Sequence, residues 1–371
     1  MNLTSQMGKN VIHYSKNHIG RIFFIGIAGP EIDAKTEELL NEVRPGGVCL
    51  FARNIRSAEQ TRQLTDSLKR ILGNSLLISI DQEGGLVDRL KRILEPMPAA
   101  ASIKTSEQAN MLGKLTARAL RQLGININFA PVVDVIDEKR KTTNNGLYSR
   151  NFGSDAESTS QLADAYLRGL SENGVIGCLK HFPGLGASRV DSHSELPIVE
   201  IDRETLQSVD LLPYRRLLAR RDNAMIMTAH CSYPNAGLQG NDADGSLIPA
   251  SLDRRVLEDL LRNEIGFRGL AITDDLEMGA VTRNFGIGEA CRRAVLAGAD
   301  MLAICASSDA VRTGFEVISE AADSGIIPTS RLAQALERID ILAQSTSPSA
   351  QFSLDELEEI SSEIRELKAG L

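Results

Sequence analysis

The sequence contains no tryptophan, and aromatic residues make up only 4% of it. Long sugar polymers are commonly held by stacked aromatic rings, so this scarcity argues against an extended polymer-binding groove. The five cysteines are scattered, and none stands in a CxxC pair. That excludes a disulfide framework and fits reduced core thiols in a reducing compartment. No run approaches the roughly 18 apolar residues that a membrane-spanning helix needs. The first apolar run is short and flanked by Lys16 and Arg21, so it does not read as a secretory leader. Basic runs are also missing, and 41 basic against 49 acidic residues give a net charge of −8. Nucleic acid and membrane are therefore not expected partners, and the expected location is the cytoplasm. What remains is an ordinary globular composition, 42% hydrophobic and 24% charged over 371 residues, enough for one large domain or two smaller ones.

Apolar runs of strand length lie at about 21–27, 47–51, 76–80, 125–130, 174–179, 223–229, 269–273 and 300–305. Amphipathic helical patterns separate them, at 31–43, 57–72, 105–123, 156–172, 204–220, 252–264, 287–297 and 308–324. Asp155, Ser251 and Ser308 stand where an N-cap is wanted, and Gly73, Gly124 and Gly298 where a helix should stop. Continuous apolar strands alternating with helices predict an α/β protein with a covered parallel sheet, closed as a (β/α)8 TIM barrel. The rival doubly wound sheet lacks support, because no GxGxxG follows a strand. The expected organisation is a lead-in at 1–20, a barrel over 21–345 and a helical extension over 346–371, beyond a Ser/Pro-rich hinge.

A barrel predicts its chemistry at the C-terminal ends of its strands. Polar residues do gather there: Asp81 and Arg89 after the third run, Asp134 and Arg150 after the fourth, His230 after the sixth, Asp274 and Asp275 after the seventh. The densest stretch follows the fifth run, KHFPGLGASRVDSH over 180–193. Pro183, Gly184 and Gly186 break regular structure there. Asp191 and His193 can meet if this loop folds back, and a carboxylate beside an imidazole fixes its tautomer. Other readings stay open at this point. Asp275 and Glu277 suit helix caps, Arg89 an ion pair, His230 a satisfied core histidine, and the glycine pair 84–85 a bare turn. Zinc binding by His181, Asp191, His193 and His230 has no HExxH or CxxC spacing behind it, so no metal or cofactor is expected.

The chain resembles glycoside hydrolase family 3, in particular its single-barrel bacterial β-N-acetylglucosaminidases of peptidoglycan recycling. The matching pieces run in order from about residue 20 to 305: DQEGG, LGININFAPVVDV, SRNFG, KHFPG, DSH, MTAH, PASL and ITDDLEM. The resemblance implies a retaining exo-acting hydrolase that frees terminal GlcNAc from small cell-wall fragments, GlcNAc linked to 1,6-anhydro-MurNAc. Asp274 would be the nucleophile, with Asp275 the alternative if the alignment slips by one. His193 would be the general acid/base, oriented by Asp191. Asp81, Arg89, Arg150, Lys180 and His181 would hold the sugar hydroxyls. One departure is Leu185, where the family usually carries a second histidine. A histidine dyad also leaves room for phosphate as acceptor, making a glycosyl phosphorylase the first rival. A sugar-binding barrel without turnover is the second.

Overall fold

The eight apolar runs form eight parallel strands: β1 Phe23–Gly26, β2 Gly47–Leu50, β3 Leu77–Ile80, β4 Ile127–Asn128, β5 Ile176–Phe182, β6 Met225–Thr228, β7 Leu270–Thr273 and β8 Leu302–Ile304. The structure, a computed structural model, describes residues 14–141, 146–190, 195–219, 224–238, 240–242 and 245–371. Neighbours follow chain order from β1 to β7, and β8 pairs with β1. A bridge between Ile272 and Met301 joins β7 to β8 and closes the ring. This is the predicted (β/α)8 barrel, with helices such as Ala34–Val43, Ala58–Leu72, Ser106–Gln122 and Ala156–Glu172 laid around it. The strands can be apolar along their whole length because barrel interior and helix layer bury both faces. Inside, Phe24 and Phe129 pack with ring centroids 5.3 Å apart.

β4 is shorter than the run 125–130 suggests. Pro131 follows it and has no N–H for a ladder. The side-chain amides of Asn126 and Asn128 add bonds to β3 and the turn after it, Asn126 Oδ1 accepting from the Ile78 N–H at 2.7 Å and Asn128 Oδ1 from the Gln82 N–H at 3.0 Å. β5, conversely, runs on through Lys180, His181 and Phe182, so those residues belong to the strand itself.

Helix ends follow their local chemistry. Asp155 caps its helix, accepting from the Ser158 N–H at 2.8 Å, and Gly73 and Gly298 end theirs at positive φ. Two expected caps are corrected. Ser307, not Ser308, caps the helix Ser308–Asp323 through the Ala310 N–H. Ser251 sits in a short 3₁₀ turn and bonds His230, while Asp253 accepts from the Arg255 N–H at 2.9 Å where the next helix begins.

At the N-terminal end of the barrel, one fully buried carboxylate, Asp300, binds Arg262, Arg331 and Arg338. That face reads as structural support. The helix Lys16–Gly20 buries Ile19. The helix Leu354–Ala369 buries Leu357, Ile360 and Ile364, each worth about 1.5–3 kcal/mol when fully covered. It docks on Ser106–Gln122 through Arg118, which bonds Glu356 at 2.8 Å and also Glu363.

Candidate active site

The C-terminal mouth of the barrel holds a cavity of about 210 Å³. Asp81, Arg89, Arg150, Lys180, His181 and Asp274 all line it. Six of the eight expected site residues therefore meet in one place. The other two, Asp191 and His193, lie outside the described residues. The loop that carries them starts from Leu185, itself in the cavity wall and only 5% exposed.

One side of the cavity is a charged cluster. Lys180, at the end of β5, reaches Asp81 Oδ1 and Glu83 Oε1, both at 2.6 Å. Arg150 grips Glu83 with two parallel bonds, Nε to Oε2 at 2.8 Å and Nη2 to Oε1 at 2.9 Å. Burial alone would push the Glu83 carboxyl up, but Lys180 and Arg150 overcome it and hold the group down at about 2. The same partners raise both cations, against a burial that acts to lower them. Glu83 was not among the expected site residues. Its signal lay inside DQEGG, where the glycine pair performs a specific task. Gly84 and Gly85 have φ of 88° and 58°, and a Cβ on Gly84 would stand 2.2 Å from the Pro98 carbonyl oxygen. Only glycine turns the chain so tightly there. Gln82 and Asp88 then knit the rest of that loop, Gln82 Oε1 accepting from the Arg89 and Leu90 N–H groups. Arg89 thus stands at the cavity, and its buried Nε has no partner among the described residues.

The second side is a histidine pair. Asp134, fully buried, lies 2.7 Å from His181 Nδ1 and accepts from the backbone N–H groups of His181 and Leu185. A carboxylate with those donors fixes the proton on Nδ1 and leaves Nε2 unprotonated whenever the ring is neutral. His230 is the mirror case. Its Nε2 faces the Asp275 carbonyl at 3.0 Å, which can only accept, so Nε2 carries the hydrogen and Nδ1 accepts from Ser251 Oγ at 2.6 Å. Burial lowers its pKa, against the opposing pull of the Asp274 charge. His230 is the satisfied core histidine that the sequence left open.

The cavity floor carries the two adjacent acids, and their environments separate them. Burial opposes ionisation of Asp274, yet His181, His230, the Asp275 N–H and Lys180 more than compensate, and its pKa is lowered. Asp275 is pushed up to about 7, by burial and by the negative charges of Glu277 and Asp274. Its Oδ1 accepts from the N–H groups of Glu277 and Cys305. Glu277 in turn accepts from the N–H groups of Ala306 and Ser307. Asp275 and Glu277 therefore hold the β7 and β8 loops together, while Asp274 is the anion presented to the cavity. Where two neighbouring carboxyls are driven apart in this way, the ionised one suits a nucleophile. Phe129, Leu147, Leu185, Met227 and Met278 supply apolar walls for the C–H faces of a ring.

The chain is similar to known proteins over most of its length. The model of the glycosyl hydrolase family 3 N terminal domain matches residues 14–342. A beta-hexosaminidase of Tolumonas auensis is 34% identical over 286 residues, 76% of this chain and 81% of that protein. Beta-hexosaminidase A of Pseudoalteromonas piscicida is also 34% identical, over 71% of this chain but only 46% of its own length. Among solved structures, a glycoside hydrolase family 3 beta-N-acetylglucosaminidase from Paenibacillus superposes with a TM-score of 0.85 at 32% identity, over 96% of this chain and 69% of that one.

Proposed function

The chain belongs to glycosyl hydrolase family 3, and we propose that it is a retaining exo-β-N-acetylglucosaminidase in which Asp274 is the nucleophile and His193, oriented by Asp191, the general acid/base. The observation that carries this reading is the contrast on the cavity floor. Asp274 is held ionised beside His181 and Lys180, whereas its neighbour Asp275 is held up to about 7 and tied into the loops. A retaining glycosidase needs one ionised carboxylate below the anomeric carbon and a proton donor on the other side of the bond.

The remaining cavity residues fall into place around a terminal sugar. Asp81 accepts from hydroxyls, and Arg150, Lys180 and Arg89 donate to them. Charged partners of this kind orient a polar ring at low conformational cost. A confined cavity of about 210 Å³ at the barrel mouth supports binding of a terminal sugar, and so exo action. Attack by Asp274 forms a covalent glycosyl ester as His193 protonates the departing oxygen. His193 then takes a proton from water, which attacks and releases the sugar with its original configuration. Histidine suits both halves, because its ordinary pKa lies near neutrality. The aglycone is a small cell-wall fragment, 1,6-anhydro-MurNAc with its peptide, met in the cytoplasm. Beta-hexosaminidases and a beta-N-acetylglucosaminidase among its relatives support the choice of GlcNAc.

The test is covalent trapping. A mechanism-based fluorinated GlcNAc should add one sugar to the intact protein, and peptide mapping should find it on Asp274. A label on Asp275 or elsewhere would displace the assignment. Product analysis with and without phosphate, expected to give free GlcNAc in both, separates hydrolysis from phosphorolysis.

A further inference from the structure

The span 228–233, where β6 runs into its loop, touches both halves of the proposed chemistry in turn. The Thr228 carbonyl accepts from the Asp274 N–H at 3.0 Å. His230 Nε2 donates to the Asp275 carbonyl at 3.0 Å. Ser232 holds the far end of the loop that departs from β5. Its N–H donates to the Pro197 carbonyl at 2.9 Å, and its carbonyl accepts from the Val199 N–H at 2.8 Å. Tyr233 holds the near end, its hydroxyl donating to the Gly184 carbonyl at 2.5 Å. Entry and exit of one loop are thus tied to consecutive residues, on the span that also holds the backbone of the proposed nucleophile.

The span is itself held firmly. The carbonyls of Ala229 and Cys231 accept from the Ser251 and Ala250 N–H groups at 3.2 and 2.8 Å. Tyr233 is buried, and the Cys231 thiol lies 3.2 Å from its oxygen. A carbonyl can only accept, so the single phenol proton points at Gly184. Gly184 is confined on its other side as well. Its φ is 136°, and a Cβ there would stand 2.7 Å from the Asp210 side chain. Arg140 pins that side chain with two bonds, of 2.7 and 2.9 Å. A loop stapled at one end can pivot about the staple. Two staples into one firm span fix its height and its tilt, against the chain entropy that favours opening. Neither Tyr233 nor Gly184 lines the substrate cavity, so any part they play in the reaction is geometric.

We propose that Tyr233 is a positioning residue of the reaction: its hydroxyl, by holding the Gly184 carbonyl, sets the acid/base loop relative to the nucleophile. This rests on the roles given above to Asp274 and His193. A retaining glycosidase works only when proton donor and nucleophile keep a fixed separation across the bond. Misplacing either by about 1 Å can cost about 10²-fold in rate. The span 228–233 sets that separation, with Thr228 and His230 at the nucleophile's end and Ser232 and Tyr233 at the loop's.

The experiment compares Tyr233→Phe with the parent, in the full chain, on a GlcNAc disaccharide and on an activated aryl GlcNAc glycoside. Only the first needs a well-placed proton donor to release its leaving group. For the disaccharide, kcat should fall roughly tenfold, the scale of one lost hydrogen bond, with KM little changed. For the aryl glycoside, kcat/KM should stay within about twofold, since that ratio reports the first step alone. In a His193→Ala background the same change should have no further effect on the disaccharide, because two groups acting through one step are not additive. A purely structural contribution would lower both substrates alike and add to His193→Ala. Tyr233→4-fluorophenylalanine, which fills the place of the hydroxyl without donating, serves as second variant if far-UV circular dichroism shows Tyr233→Phe unfolded. Equal losses on the two glycosides, or additive losses in the double variant, would overturn the proposal. His193→Ala run alongside separates two failures. A substrate split there with none in Tyr233→Phe overturns the positioning role alone. No split in either overturns the acid/base assignment, and this role with it.

Discussion

Asp134 and His181 form a buried carboxylate–imidazole pair 2.7 Å apart, and the same carboxylate holds the amide of Leu185, where the 185–193 loop departs. One side chain thus sets both the tautomer of a cavity histidine and the root of the loop that carries Asp191 and His193. Neither job is visible from β4 alone.

Asp134→Asn keeps the shape but replaces one acceptor with an NH2 group that cannot take the Nδ1 hydrogen. Hydrogen bonds to a charged group contribute about 1.5–3 kcal/mol. We expect kcat/KM to fall roughly ten- to hundredfold, with weaker binding of free GlcNAc and an unchanged far-UV circular dichroism spectrum. A lowered melting temperature with kcat/KM intact would mean that Asp134 only anchors the loop.

The two adjacent acids should behave oppositely. Asp274→Ala removes the nucleophile, and kcat should drop by about 10⁴-fold or more, the scale seen when a covalent catalyst is deleted. Asp275→Asn retains an acceptor for the Glu277 and Cys305 amides. It should keep most of its activity and show no loss of covalent trapping. If Asp275→Asn were the dead variant, the roles would have to be exchanged.

Much of this could be read before the fold was known. All eight strands were marked by β-branched apolar runs, and the C-terminal-face rule brought Asp81, Lys180, His181 and Asp274 to one cavity. What was hidden depends on side chains meeting across the barrel. Glu83 needs the Gly84–Gly85 turn to meet Arg150, and Asp134 needs β5 beside β4 to find His181. Ser251 looked like a helix cap because serine before a helix usually is one. Its hydroxyl was claimed by His230, 21 residues earlier. Pairing over such separations leaves no periodic trace in a sequence.

Asp275 also predicts a pH dependence of stability. Its folded pKa is raised to about 7, against about 3.9 for an unfolded aspartate. Between those values the folded state binds the extra proton. Its stabilising effect is complete below about pH 4 and lost as pH rises through 7. Melting temperatures measured from pH 5 to 8 should fall with pH in the parent, and fall less steeply in Asp275→Asn. Parallel slopes would show that Asp275 ionises normally in the fold.

The proposed acid/base role of His193 can be separated from every alternative by the choice of leaving group. A sugar alcohol cannot leave without a proton, whereas an electron-poor phenol departs almost unaided. His193→Ala should therefore slow cleavage of a GlcNAc disaccharide by about 10²–10⁴-fold, the usual worth of general acid catalysis. Cleavage of an activated aryl glycoside should begin almost normally. Its second step then lacks a base, so the glycosyl ester on Asp274 should accumulate, seen as a burst of phenol and as one added sugar on the intact protein. Azide attacks without a base and should restore turnover by giving the β-glycosyl azide. Asp191→Ala should follow the same pattern more mildly, with kcat lowered and KM little changed, because the lost interaction acts on the transition state. Equal losses on both substrates, with no burst and no azide rescue, would move the proton transfer elsewhere. His181 would then be the first group to examine, since it already stands in the cavity with Asp134 behind it.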